Sequence, residues 1–182
     1  FALKYRCDGI VIDNYYSAKG AESYSDYMQN GSGIGYDNYL YDSNELYFSA
    51  VSDVIHITDN TVPVGIFIND MWANSSSNEE GSNTADPVQA LYDGFSDTKK
   101  YVSRGYADFC LVKAYGSITS SVLPFEEVTG WWNDLSEKYG IVMYVVHFNE
   151  RQGEGMEGWG SVDQILRQLS VSKELSSFGG SV

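Results

Sequence analysis

The chain has 182 residues, enough for one domain with a sizeable core. Its 11 Lys plus Arg stand against 25 Asp plus Glu, and the net charge of −14 excludes nucleic acid and anionic membrane as partners while leaving a neutral ligand unpenalised. No apolar run approaches the roughly 18 residues of a spanning helix, so no membrane insertion is expected here, and two histidines without a partner motif predict no zinc site. Phe1 in place of an initiator Met, and an apolar Gly-rich segment that stops at Val182, read as a piece of a longer protein. Nothing in the sequence sets an oligomeric state.

The first predicted strand, Asp8–Asp13, places Gly9, Val11 and Asp13 on one face, with Asp13 at its carboxyl end and Tyr15 just beyond. The plain alternative is a strand followed by an Asp-Asn turn. Ser17–Asp42 reads as a Tyr/Gly/Ser/Asn-rich loop, and Ser43–Asn60 as a helix with Leu46, Ala50, Val54 and Ile57 on its apolar face. Val62–Asn69 is the second strand, with Asp70 after it and a Ser/Asn/Glu/Gly loop at Asn74–Ala85. Helical character runs over Asp86–Arg104, with Asp86 as N-cap, Pro87 at the first helical position and Gly105 closing it. Asp108–Ala114 is the third strand, Pro124–Tyr139 a helix ended by Gly140, and Gly140–His147 the fourth strand. A loop at Asn149–Gly160 carries Glu150, Glu154, Glu157 and Trp159; a helix follows over Ser161–Leu175, with Val162, Ile165, Leu166 and Leu169 at helical spacing after a Ser161 cap, and a fifth strand begins at Phe178. Cys7 and Cys110, at or in strands, read as two buried thiols.

Apolar β-branched strands that alternate with helices predict a parallel α/β sheet, buried on both faces. No strand is followed by a Gly-rich phosphate loop, which argues against a doubly wound fold. The expected architecture is an incomplete TIM (β/α)8 barrel, which needs about 250 residues when complete. All three long loops follow strands, on the rim where barrels keep their chemistry, and the opposite connections are short.

Asp8-Gly9-Ile10-Val11-Ile12-Asp13-Asn14-Tyr15 resembles the pattern Asp-Gly-Ile-x-Phe-Asp-Asp-Tyr of the glycosyl hydrolase-like 10 family (DUF187, YngK-like glycoside hydrolases). Further resemblance lies in Gly65-Ile66 with Trp72 and Asn74, in Tyr92, Asp97-Thr98, Tyr101-Val102, Gly105 and Asp108-Phe109, in Trp131-Trp132, in Ile165-Leu166-Arg167-Gln168, and in Gly180-Ser181-Val182. These matches run in one order over nearly the whole chain. They imply strands four to eight of one catalytic barrel domain, with 1–182 as its C-terminal part and the first strands upstream. They also imply a bacterial, extracellular or envelope-bound hydrolase of O-glycosidic bonds in a polysaccharide or oligosaccharide, working without cofactor. Departures from the family pattern are Asn14 for its second Asp, Val112-Lys113-Ala114-Tyr115 for its Pro-Gln-x-Tyr, and Phe67-Ile68-Asn69-Asp70 in the second strand.

Glycoside hydrolysis ordinarily needs two carboxyl groups. The resemblance supports Asp13 as nucleophile or electrostatic stabiliser, and Asp70, Glu150 or Glu154 are the alternatives for the second, each of which reads more readily as a solvated loop charge. Phe109, Leu111, Lys113 and Tyr115 share one strand face, so the Lys113 ammonium is expected near Asp13, where it favours the charged carboxylate; the alternative is a Lys snorkelling to the rim. Tyr15, Trp72, Tyr115, His147 and Trp159 are candidates to line sugar subsites, with His147 also readable as a satisfied strand-end histidine. The chitinase-type family 18 motif is incomplete, because Val11 and Tyr15 occupy its middle Asp and its catalytic Glu. A non-catalytic carbohydrate-binding barrel is the alternative function.

Overall fold

The computed structural model describes residues 4, 7–13, 19–69, 71–153, 155–161 and 163–182. Its elements in chain order are β1 (Ile10–Ile12), α1 (Ala21–Asn30), α2 (Tyr36–Thr58), β2 (Val64–Asn69), α3 (Thr98–Ser103), β3 (Phe109–Lys113), α4 (Phe125–Tyr139), β4 (Val142–Val146), a 3-10 turn at Asn149–Arg151, α5 (Asp163–Lys173) and β5 (Phe178–Ser181). The strands form one parallel sheet in the order β1-β2-β3-β4-β5. Sequential order without a reversal is what a (β/α)8 barrel shows and what a doubly wound sheet, with its switch point, does not.

The two faces of the sheet differ, contrary to the expectation of burial on both. Val64, Ile66, Ile68, Cys110, Val112, Met143 and Val145 are fully covered by Phe48 of α2, Tyr101 and Val102 of α3, and Phe125, Val128 and Trp132 of α4. Burial in this layer raises the Cys110 thiol to about 12. The opposite face carries Val11, Phe67, Phe109 and Tyr144 and stays partly open. Large and small residues alternate there: a Cβ on Gly65 would lie 2.3 Å from the Phe109 ring, and one on Gly179 2.3 Å from Val142. Among the described residues, no helix covers these rings.

Local chemistry sets the helix ends. Glu126 and Glu127 lie in the first turn of α4 and Lys138 in its last, each complementing the helix dipole. Gly140 takes φ +69 and donates to the carbonyls of Glu137 and Ser136, a left-handed stop that favours glycine. At the amino ends of the strands, Asp108 Oδ2 accepts from the Val64 amide at 2.7 Å and bonds His56 Nε2 at 2.8 Å. One carboxylate thus ties α2, β2 and β3 together.

Three expectations need correction. Ser17–Asp42 is not a loop throughout, since α1 and the first turns of α2 lie within it. Within Asp86–Arg104 only Thr98–Ser103 is α-helical. Asp86 Oδ1 accepts from the Val88 amide at 2.9 Å and Asp93 Oδ2 from the Gln89 amide at 2.7 Å, local turns that compete with a helix. Phe95 then takes φ +48, and the Asn44 amide holds this corner by donating to the Gly94 and Phe95 carbonyls. Asp97 is the true cap, accepting from the Lys100 amide at 3.1 Å.

The third correction concerns which helix faces are buried. In α2 the buried line is Leu40, Asn44, Phe48 and Ser52, whereas Val54 is 64% and Ile57 85% exposed. In α5 it is Gln164, Gln168 and Ser172, with Leu166 outside. Polar residues take these positions because backbone groups wait for them: Ser52 donates to the Tyr106 carbonyl at 2.7 Å, and Gln168 to that of Gly116 at 2.9 Å.

Candidate functional site at the carboxyl rim

Each long connection among the described residues leaves the carboxyl end of a strand, so the irregular segments collect on one rim. Asp13 directly follows β1 on the open face, two residues beyond Val11. Lys113 ends β3 on the same face, opposite Asn69 in register. Its Nζ donates to Asp13 Oδ1 at 3.1 Å and lies 4.5 Å from the centre of the Phe67 ring. The ammonium is largely shielded at 18% side-chain exposure, whereas the carboxylate is 45% exposed. The carboxylate therefore keeps access to solvent and to a ligand. Such an exposed pair contributes little to stability, and its interest lies in what it positions.

Beside the pair is a rim cavity of about 490 Å³, lined by Asn69, Asp86, Gln89, Asp93, Lys113 and Tyr115 among others. Its walls come from the carboxyl ends of β2 and β3 and from the turn that replaces the expected helix. Gln89 is fixed there, its Oε1 accepting from the Asn74 amide at 2.8 Å. Tyr115 stacks on Phe148 at 4.7 Å, and Arg151 donates to the Tyr115 carbonyl at 3.4 Å while its guanidinium covers Phe148 at 4.8 Å. These contacts join the β3 and β4 sides of the rim. Glu150 lies next to Arg151 and is exposed.

Asp70, Tyr15 and Glu154 lie outside the described residues. The remaining predicted residues sit deeper. Trp72 is buried, stacks on Trp131 at 5.6 Å and donates from Nε1 to Asp97 Oδ1 at 3.0 Å. Trp159 is 1% exposed. Sequence reasoning did not single out Gln89 and Asp93 as lining residues. The Asp93-Gly94 pair, a turn signal inside a helix-like stretch, was the available clue.

His147 is half-buried, its ring stacked on Phe125 at 5.7 Å. Nδ1 lies 3.0 Å from Gln168 Oε1 and Nε2 3.0 Å from Ser181 Oγ. The amide oxygen can only accept, which assigns the proton to Nδ1 and leaves Nε2 to accept from the Ser181 hydroxyl. Burial lowers its pKa below the ordinary 6.5, with the Gln168 hydrogen bond opposing. The unfolded chain therefore takes up a proton before the folded one does as pH falls. Folding stability should drop as pH moves down through the ordinary histidine range, from about pH 7 toward pH 5. Urea midpoints measured across that range should show this slope, and His147→Gln should lose that part of it. A variant whose midpoint falls with pH as steeply as the wild type would refute the assignment.

Among the described residues, no helix is long and apolar enough to cross a membrane, and no three His, Cys, Asp or Glu side chains are grouped to hold a metal ion. No family model matches the chain. Over 98% of its length it is 22% identical to the glycosyl hydrolase YngK of Bacillus subtilis (strain 168), of which it spans 36%. It is likewise 22% identical to the glycosyl hydrolase DigH of Escherichia coli (strain K12), of which it spans 43%. The chain thus spans less than half the length of these curated relatives. The similarity runs from one end of the sheet to the other, and it makes this α/β chain a distant relative of proteins named glycosyl hydrolases.

Proposed function

We propose that this chain carries the active rim of a glycoside hydrolase that cleaves O-glycosidic bonds in a bacterial envelope or extracellular polysaccharide. In this reading, residues 1–182 form strands four to eight of one (β/α)8 barrel of the glycosyl hydrolase-like 10 type. The observation that carries the proposal is the Asp13 carboxylate, held at 3.1 Å by the shielded Lys113 ammonium at the carboxyl ends of the strands. It stands on the open sheet face, beside a cavity of about 490 Å³. A partly exposed carboxylate anchored by a cation suits a nucleophile or an electrostatic stabiliser of an oxocarbenium-like transition state. The exposed apolar residues Leu46, Val54 and Ile57 of α2 support the barrel reading, since a further βα unit would cover them.

The acid that protonates the leaving oxygen comes from the same rim, where Asp86 and Asp93 join Asp70 and Glu150 as its candidates. Tyr115 and Lys113 line the subsite, whereas Trp72, Trp159 and His147 belong to the framework beneath it. The reaction uses no metal or cofactor in this scheme. The test is release of reducing ends from purified bacterial glycans, peptidoglycan strands among them, by the full polypeptide carrying these residues. Release establishes the hydrolase. Binding of the glycan without release would leave a non-catalytic carbohydrate-binding barrel instead.

A further inference from the structure

The helix α1 buries none of its residues, and ten residues of helix are marginal alone in water. Tyrosine rings hold it against the start of α2. Tyr24 meets Tyr36 edge-on at 5.3 Å, Tyr27 lies 5.1 Å from Tyr36 and 5.6 Å from Tyr39, and Tyr24 and Tyr27 are 5.9 Å apart. The phenol groups are fixed as well. Tyr39 donates to Asp26 Oδ2 at 2.6 Å, Tyr27 to the Ile34 carbonyl at 3.0 Å, and Tyr36 shares a 2.5 Å hydrogen bond with Ser23. Their hydroxyls are thus spent on orientation, and Tyr24 still leaves 51% of its surface in water. A cavity of about 570 Å³ opens between the two helices, lined by Ser23, Asp26, Tyr39 and Ser43 with Leu40.

We propose that this tyrosine lobe is a second glycan-binding site, holding the distal part of a long neutral polysaccharide whose scissile bond lies at Asp13. The exposed Tyr24 ring, held by its contacts with Tyr27 and Tyr36, offers a flat surface to the apolar face of a sugar. The carboxylate and serine hydroxyls beside them supply the hydrogen bonds that sugar hydroxyls need. Glu22, Asp26, Asp37 and Asp42 against Lys19 disfavour an anionic chain. The lobe also adjoins the rim cavity. Asn44, next to Ser43, holds the Gly94 and Phe95 carbonyls, and Asp93 and Gly94 line the cavity that contains Lys113. Lys19 bridges the same gap, bonded to Asp37 at 2.6 Å and lying 5.0 Å from the Phe95 ring centre.

The placement of the scissile bond rests on the hydrolase reading; the lobe's affinity for glycan does not. The experiment titrates short and long neutral oligosaccharides of β-1,4-linked N-acetylglucosamine into the full polypeptide carrying Asp13→Asn, with and without Tyr24→Ala. Tyr24→Phe serves as the control that keeps the ring, and helicity is followed by circular dichroism. The expected result is that Tyr24→Ala cuts the preference for long over short oligosaccharides by about tenfold, the worth of one lost aromatic contact. Tyr24→Phe should retain the preference. Equal preference in all three proteins, or equal loss in Tyr24→Phe and Tyr24→Ala, overturns the lobe site whether or not the wild type cleaves. Lobe-dependent binding in a wild type that releases no reducing ends would uphold the lobe and sink the hydrolase.

Discussion

Trp132→Ala should destabilise the protein by about 3–5 kcal/mol, the usual cost of deleting a buried indole. Trp132 is 1% exposed and packs in the helix-covered layer of the sheet. Its ring meets Trp131 edge-on at 4.7 Å, and Trp131 in turn stacks on Trp72. Trp131 Nε1 donates to the Glu80 carbonyl at 2.9 Å, and Lys99 joins the Glu80 carboxylate at 2.8 Å while lying 4.7 Å from the Trp72 ring centre. The cavity left by Trp132 would therefore loosen the segment after β2 that borders the rim. Trp132→Phe should cost far less, under about 1.5 kcal/mol. It keeps most of the apolar volume and removes a buried N–H that has no hydrogen-bond partner among the described residues. Urea unfolding of both variants checks the contrast, and equal losses would show that packing at this site is not what stabilises it.

Asp13→Asn should leave glycan binding nearly intact and lower turnover by at least about 10³-fold, on the order of 4 kcal/mol in the barrier. An amide of the same shape fills the same place but carries no charge to meet a developing oxocarbenium ion. It also leaves the Lys113 ammonium, 18% exposed, without its counter-charge. Lys113→Met removes the anchor instead of the reacting group, so its effect should be smaller, about 10²-fold in kcat. The Lys113 change should leave stability within about 1 kcal/mol, because the pair is exposed on its carboxylate side. Steady-state kinetics on the best glycan substrate, with thermal unfolding in parallel, separate the two roles. Equal losses in both variants would argue that Lys113 does more than anchor Asp13.

The positions of all five strands were legible because the segments are apolar, β-branched and bounded by turn residues. So was the face shared by Val11 and Asp13, since alternation along a strand leaves little choice. The Lys113 approach to Asp13 followed from the same alternation. Helix faces were misread for one physical reason. Apolar periodicity assumes that the core is apolar, whereas α2 and α5 turn Asn44, Ser52, Gln168 and Ser172 inward. Three of these meet carbonyls of distant connections, at Gly94, Tyr106 and Gly116. Such partners are invisible until the chain is folded. The rim cavity was missed because the stretch from Asp86 looked helical, and only the left-handed Phe95 and the two Asp turns break it. Trp72 and Trp159 carried a signal of aromatic function that is equally a signal of packing, and burial separates the two.

The most direct measurement is anion rescue of Asp13→Ala in the full polypeptide. Removing the carboxylate should abolish release of reducing ends from glycan, and added formate, small enough to occupy the vacated place beside Lys113, should restore it through a glycosyl formate that water then hydrolyses to the free reducing end. An Asp13→Ala protein that cleaves at the wild-type rate without any added anion would contradict the assignment of this rim as the catalytic one.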